Sequence, residues 1–184
     1  ITTSQGYSVW VKGGTYNMTG GKISGMSVFI AEEGGTVELT GGEISGNTTY
    51  GGLFILGGDL TINGNLKLTG NKMNNIPADI FYDSKVIPIT ITDEGWTNKP
   101  ETEKIYIYYS GTVTEGKPIT IASNVSEEAA KYFTCQRSLS YHVERSAGGE
   151  LQLVAGTMAA PPFEFPAGKD QLTLPNPDAP AAGQ

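Results

Sequence analysis

The sequence predicts an all-β fold: a right-handed parallel β-helix with three short strands per coil, a C-terminal closing region with one short helix, and an extended Pro-rich tail. Three observations predict it. A motif recurs at fixed spacing, apolar residues alternate within each copy, and glycines mark the same corners of every copy. Residues 13–25 read Gly-Gly-Thr-Tyr-Asn-Met-Thr-Gly-Gly-Lys-Ile-Ser-Gly, and 21 residues later 34–47 read Gly-Gly-Thr-Val-Glu-Leu-Thr-Gly-Gly-Glu-Ile-Ser-Gly-Asn. A looser third copy starts at Gly57 and needs one extra residue near Leu66 to stay aligned. Recurrence at such a period is the mark of a solenoid, because one repeat cannot bury its own apolar face and several must stack.

Each element follows from the copies. Tyr16 and Met18, Val37 and Leu39, and Leu60 and Ile62 alternate with Asn17, Glu38 and Thr61, the two-residue period of a strand with one buried face. Gly-Gly at 20–21 and 41–42 permits a corner. A short strand centred on Ile23, Ile44 and Leu68 comes next, followed by a second glycine corner with Asn47 or Asn71 after it in two copies. Asn at such corners serves turn geometry and suits a ladder of stacked amides. The third strand is Val9–Val11, Val28–Ile30 or Leu53–Ile55. Parallel crossover connections are right-handed, and this sets the expected hand.

The pattern Val-aromatic-Val, Gly-Gly-Thr-x-x-Met-x-Gly-Gly-x-Ile-Ser-Gly-Asn resembles the repeats of large surface proteins of gut Gram-positive bacteria, which are pectin-lyase-like β-helices by fold. The resemblance covers residues 7–82 closely and 105–155 more loosely. It implies an extracellular module, on the bacterial surface or secreted, that acts as a stalk or adhesin rather than an enzyme.

Composition narrows the classes. Charged residues are 17% of the 184, below the usual figure of about 25%. Gly, Thr, Ser and Asn take their place, which suits a corner-rich β surface. A net charge of −7 with no basic patch argues against nucleic acid as a partner. The apolar runs are too short for membrane insertion. Cys135 is the only cysteine, so no intrachain disulfide is expected. The chain reads as an excised or processed piece of something longer, with a β-helix domain at 1–155 and a Pro/Ala-rich tail or linker at 156–184.

Beyond the regular coils the pattern degrades. Segments 78–82, 86–92, 104–109 and 117–122 still read as strands, and Gly95–Glu103 reads as a loop. Ser126 followed by Glu127 and Glu128 reads as the N-cap of a short helix. Strands at 139–145 and 150–154, joined through Gly148 and Gly149, finish the domain. In the tail, Phe163 and Phe165 among prolines are candidates for docking on the solenoid or a neighbour. The tail is also a candidate for head-to-tail self-association.

The best candidate for a binding site is an aromatic column. With Val9 and Val11 inward, Trp10 points outward, and the same alternation sends out Phe29, Phe54, Phe81, Tyr106 and Tyr108. Coils stack about 4.8 Å apart, so these rings form a ladder suited to sugars or to another surface protein. The same ladder serves equally to hold the coils together. Enzymes of the pectin-lyase-like fold use clustered aspartates with calcium, often with basic residues, on an outer strand face. Asp79 and Asp83 flank Phe81, but no aspartate recurs at equivalent positions in successive coils. The two arginines, Arg137 and Arg145, lie in the terminal region. A polysaccharide lyase or hydrolase is therefore the weaker expectation. No cofactor, metal ligand set or Cys–His pair is expected, since His142 and Cys135 each occur once.

Overall fold

The computed structural model describes residues 8–25, 27–30, 34–136 and 139–156. The expected tail from 157 onward, with Phe163 and Phe165, lies outside the described residues, as do Glu32, Glu33 and Arg137. What is described is a parallel β-solenoid of about five turns. The order is β1 (Val9–Val11), β2 (Thr15–Ser24), β3 (Val28–Ile30), β4 (Thr36–Ser45), β5 (Leu53–Ile55), β6 (Asp59–Ile62) and β7 (Lys67–Thr69). Then come β8 (Lys72–Met73), β9 (Ile76–Pro77), β10 (Ile80–Tyr82), β11 (Thr90–Ile91), β12 (Ile105–Tyr109) and β13 (Ile119–Ala122). A helix, α1 (Glu127–Ala130), precedes β14 (Phe133–Thr134), β15 (Tyr141–Arg145) and β16 (Leu151–Ala155).

Two parallel sheets form the solenoid walls. One has six strands in the order β1-β3-β5-β10-β12-β14; the other runs β11-β6-β4-β2, with β7 also on β4. Equivalent residues of successive copies pair: Tyr16 with Val37, Met18 with Leu39, Ile23 with Ile44, then Val37 with Leu60 and Leu39 with Ile62. Ile44 pairs with Leu68, so the third copy does hold one extra residue before Leu68. The inward members of these pairs, with Leu53, Ile80, Tyr82, Ile105 and Ile107, make one continuous core. Burying an aliphatic side chain of this size contributes about 1.5–3 kcal/mol.

The corners differ from the expected break. In the first two coils the Gly-Gly pair bends a continuous ten-residue strand, β2 or β4, and the ladder slips one position where Thr19 faces Gly41. Only in the third coil do the two segments separate into β6 and β7. Glycine is required at these bends. Gly42 sits at φ 89°, and a Cβ there would lie 2.8 Å from the carbonyl oxygen of Gly21 on the coil beneath. The Asn-rich turn is a two-residue hairpin joining β8 to β9, with Asn74 and Asn75 both at positive φ, the backbone of a type I′ turn.

The loop 95–103 contributes more than its sequence indicates. Trp96 is 1% exposed and packs on Tyr132 and Phe133. Its indole N–H donates to the Thr92 carbonyl at 2.6 Å. The Lys99 ammonium is buried and donates to the carbonyls of Leu66 (2.8 Å) and Gly64 (3.2 Å), with Glu103 at 3.4 Å. Tyr132 donates in turn to the Lys99 carbonyl at 2.7 Å. The loop thus seals a corner of the solenoid with an indole and satisfies the carbonyls of the preceding coil with one lysine.

At the C-terminal end the parallel ladder gives way to an antiparallel sheet, β13-β16-β15. The helix is capped as the sequence predicts: the Ser126 hydroxyl accepts from the Ala129 N–H, and Glu127 and Glu128 occupy the first turn.

A paired substitution tests the corner argument. Gly42→Ala and Gly46→Ala both place alanine at positive φ, a cost of about 1–2 kcal/mol. Only Gly42 also has backbone beneath it, because a Cβ at Gly46 meets nothing within 4 Å. Urea unfolding should show Gly42→Ala to be clearly the more destabilising of the two.

Candidate functional site

The outward face of the six-stranded sheet carries the aromatic column. Its backbone register is Trp10 opposite Phe29, Phe29 opposite Phe54, Phe54 opposite Phe81, and Phe81 opposite Tyr108. Phe54 and Phe81 stack with centroids 4.7 Å apart and planes 24° from parallel. Phe81 and Tyr108 continue the stack at 5.6 Å. Tyr50, from the segment before β5, lies on Phe54 at 5.4 Å and 8°. These offsets lie within the range aromatic pairs favour.

The column splits into closed and accessible parts. Phe54 is 7% exposed and Phe81 2%; with Tyr50, Leu56, Met73 and Tyr108 they form a second apolar cluster outside the main core. Their faces are taken up by one another and by the side chains around them. Tyr108 is half-buried. Tyr106 is also half-buried and shares the outward face of β12, but it stands opposite Thr134 rather than in the stack. Trp10 is 61% exposed, the one large apolar side chain so open among the described residues. The side chain of Phe29 lies outside what the structure describes. Tyr50, Leu56 and Met73 were not evident from sequence, because they reach the column from loops and a hairpin rather than from the Val-aromatic-Val position.

The carboxylates beside the column have structural partners. Asp79 is buried: its Oδ1 accepts from Asn71 Nδ2 at 2.8 Å and its Oδ2 from the Tyr106 N–H at 2.9 Å. Asn71 also bonds the Ile44 carbonyl at 2.9 Å and receives Asn47 Nδ2 at 2.8 Å. The corner asparagines therefore form the stacked ladder expected of them, ended by a carboxylate. Burial raises the Asp79 pKa above the ordinary aspartate range, partly offset by the Tyr106 N–H and the Asn71 amide. Asp83 is exposed and accepts from the Ser110 hydroxyl at 3.0 Å.

Cys135 and His142 do not converge on one another. The Cys135 thiol is buried, donates to the Tyr141 carbonyl at 3.2 Å and has its pKa raised by desolvation. His142 Nε2 lies 3.3 Å from Glu144, and its Nδ1 lies 3.1 Å from the Gly156 carbonyl oxygen. Among the described residues no group of three or more His, Cys, Asp and Glu side chains is arranged to hold a metal ion. No described helix is long and apolar enough to cross a membrane.

No protein-family model, curated protein or solved structure matches the chain. The functional reading therefore rests on the solenoid and its outward face.

Two expectations follow. Phe54→Ala should cost about 3–5 kcal/mol, the range for a buried phenylalanine, although Phe54 lies outside the main core; denaturant titration measures it. For Asp79, the native state takes up a proton more readily than the unfolded chain. Stability should therefore fall as pH rises from about 4, the ordinary aspartate value, through the raised native value, then level off. In Asp79→Asn that component of the pH slope should vanish, as urea midpoints of both proteins from pH 4 to 8 would show.

Proposed function

We propose that this chain is a non-enzymatic structural module of an extracellular bacterial surface protein, a rigid β-solenoid stalk. The observation that carries this reading is the buried aromatic stack. Rings projecting from successive coils are used against one another, and an array closed in this way binds coil to coil instead of presenting a cleft. The buried Asn47–Asn71–Asp79 chain acts in the same direction at a corner. The resemblance of the repeats to those of gut Gram-positive surface proteins supports the extracellular setting. Incubation with acidic polysaccharides and calcium should release no product above a heat-denatured control. Reproducible depolymerisation would overturn the proposal in favour of a lyase or hydrolase.

A second reading, an adhesin face for glycans or a protein partner, is favoured by Trp10. Its indole, 61% exposed, and the half-buried Tyr106 and Tyr108 are the most accessible column rings among the described residues. A broad exposed ring suits stacking on a sugar face. On a glycan array the wild-type chain should be retained and Trp10→Ala should lose retention. Equal retention of the two would rule out binding at this ring.

A further inference from the structure

The inward side of the C-terminal hairpin is unevenly covered. Tyr141 and Val143 on β15 and Leu151 and Leu153 on β16 share one face, as their register shows. Tyr141, Leu151 and Leu153 are buried there, but Val143 is half-buried. Beside Val143 lies a groove of about 500 Å³ between α1 and β15. Among the described residues its apolar lining is Ala130, Phe133, Val143 and Leu151. Lys131 and Arg145 stand at it with Glu127 and Glu144, so charge does not select an occupant.

The backbone at this groove is a strand edge. The Gly156 N–H donates to the Ser140 carbonyl and the Ser146 N–H to the Glu150 carbonyl, so even-numbered peptide groups of β15 face β16. The odd-numbered ones face the other way. Near the start of β15 the Cys135 thiol meets two of them, donating to the Tyr141 carbonyl and accepting from the Val143 N–H. The Val143 carbonyl and the Arg145 N–H follow at the groove and have no partner among the described residues.

The tail of this chain matches that edge. It leaves β16 beside the start of β15, since Ala155 stands opposite Tyr141. A segment reaching the groove from there runs parallel to β15. Val143 and Arg145 lie two and four residues along, about 7–13 Å away. Phe163 follows Gly156 by seven residues, a span of up to about 25 Å. We infer that the groove is the docking site of this chain's own tail, with Phe163 and Phe165 on the apolar lining and the peptide groups of Glu164 paired to the Val143 carbonyl and the Arg145 N–H. Strand addition of this kind takes affinity from main-chain bonds and specificity from alternate side chains. Alternation places both rings on the face that Val143 shares and Glu164 on the opposite one. The flanking prolines suit the same alignment. Pro162 falls opposite His142, where the edge groups are already held by the Cys135 thiol and a residue without an N–H loses nothing. Pro166 falls where β15 has ended. The inference concerns the C-terminal hairpin and does not depend on what the aromatic column binds.

The test keeps the full chain and changes only the tail. Amide exchange and methyl resonances are compared by NMR in the wild type, in Phe163→Ala/Phe165→Ala and in Leu172→Ala/Leu174→Ala. In the phenylalanine variant the Arg145 amide should exchange about tenfold faster than in the wild type, and the Val143 methyl resonances should shift. The leucine variant should match the wild type in both. Equal Arg145 exchange and unshifted Val143 methyls in the phenylalanine variant would overturn the docking site. The same changes in the leucine variant would overturn the choice of Phe163 and Phe165. Protection of the Arg145 amide that grows with protein concentration would overturn docking within one chain in favour of a neighbour's tail.

Discussion

The solenoid depends on parallel backbone pairing between one coil and the next. The short strands of each coil have few partners within that coil, and their peptide groups are satisfied by the coils above and below. Because buried N–H and C=O groups must be paired, the ladder fixes the register of each coil on its neighbour. Once register is fixed, like stacks on like: apolar on apolar inside, glycine on glycine at the corners, asparagine on asparagine beside them, and aromatic on aromatic outside. The glycine requirement at Gly42 is a consequence of this spacing, since the coil beneath leaves no room for a Cβ.

Stacking gives the outward face its character. An aromatic column read as a display for ligands is, over its middle coils, a second core. Phe54 and Phe81 are as buried as interior residues although they project away from the interior. Among the described residues, the accessible part of the column is at Trp10, with Tyr106 and Tyr108 half-buried. Corner polar groups follow the same logic. Asp79 ends a chain of amides rather than facing solvent, and Lys99 is used to satisfy carbonyls of the coil before it. Side chains of chemically capable types are thereby committed to holding coils together.

Much of the fold was legible because the repeat carries its own register. Pairing Tyr16 with Val37, or Ile44 with Leu68, needs no more than alignment of the copies, and the strand periods and glycine corners follow. The helix start at Ser126 was legible from local capping chemistry. The direction of Trp10, Phe54 and Phe81 was legible from alternation, but their exposure was not. Exposure depends on Tyr50, Leu56 and Met73, which reach the column along paths that alternation does not encode. The burial of Trp96 and Lys99 was hidden for the same reason: a loop with no period gives no sign of which side chains turn inward. The continuous bend through Gly20 and Gly21 was also hidden, because a glycine pair permits a corner without saying whether pairing stops there.

Native-state hydrogen exchange tests the central claim most directly. With coil-to-coil pairing and the aromatic stack acting as one unit, the amides of β5 and β10 should exchange only through global unfolding, with a free energy equal to that from urea titration. Exchange of β5 or β10 through local opening, well below the global value, would contradict the account and leave the column as a set of rings that meet without holding the coils together.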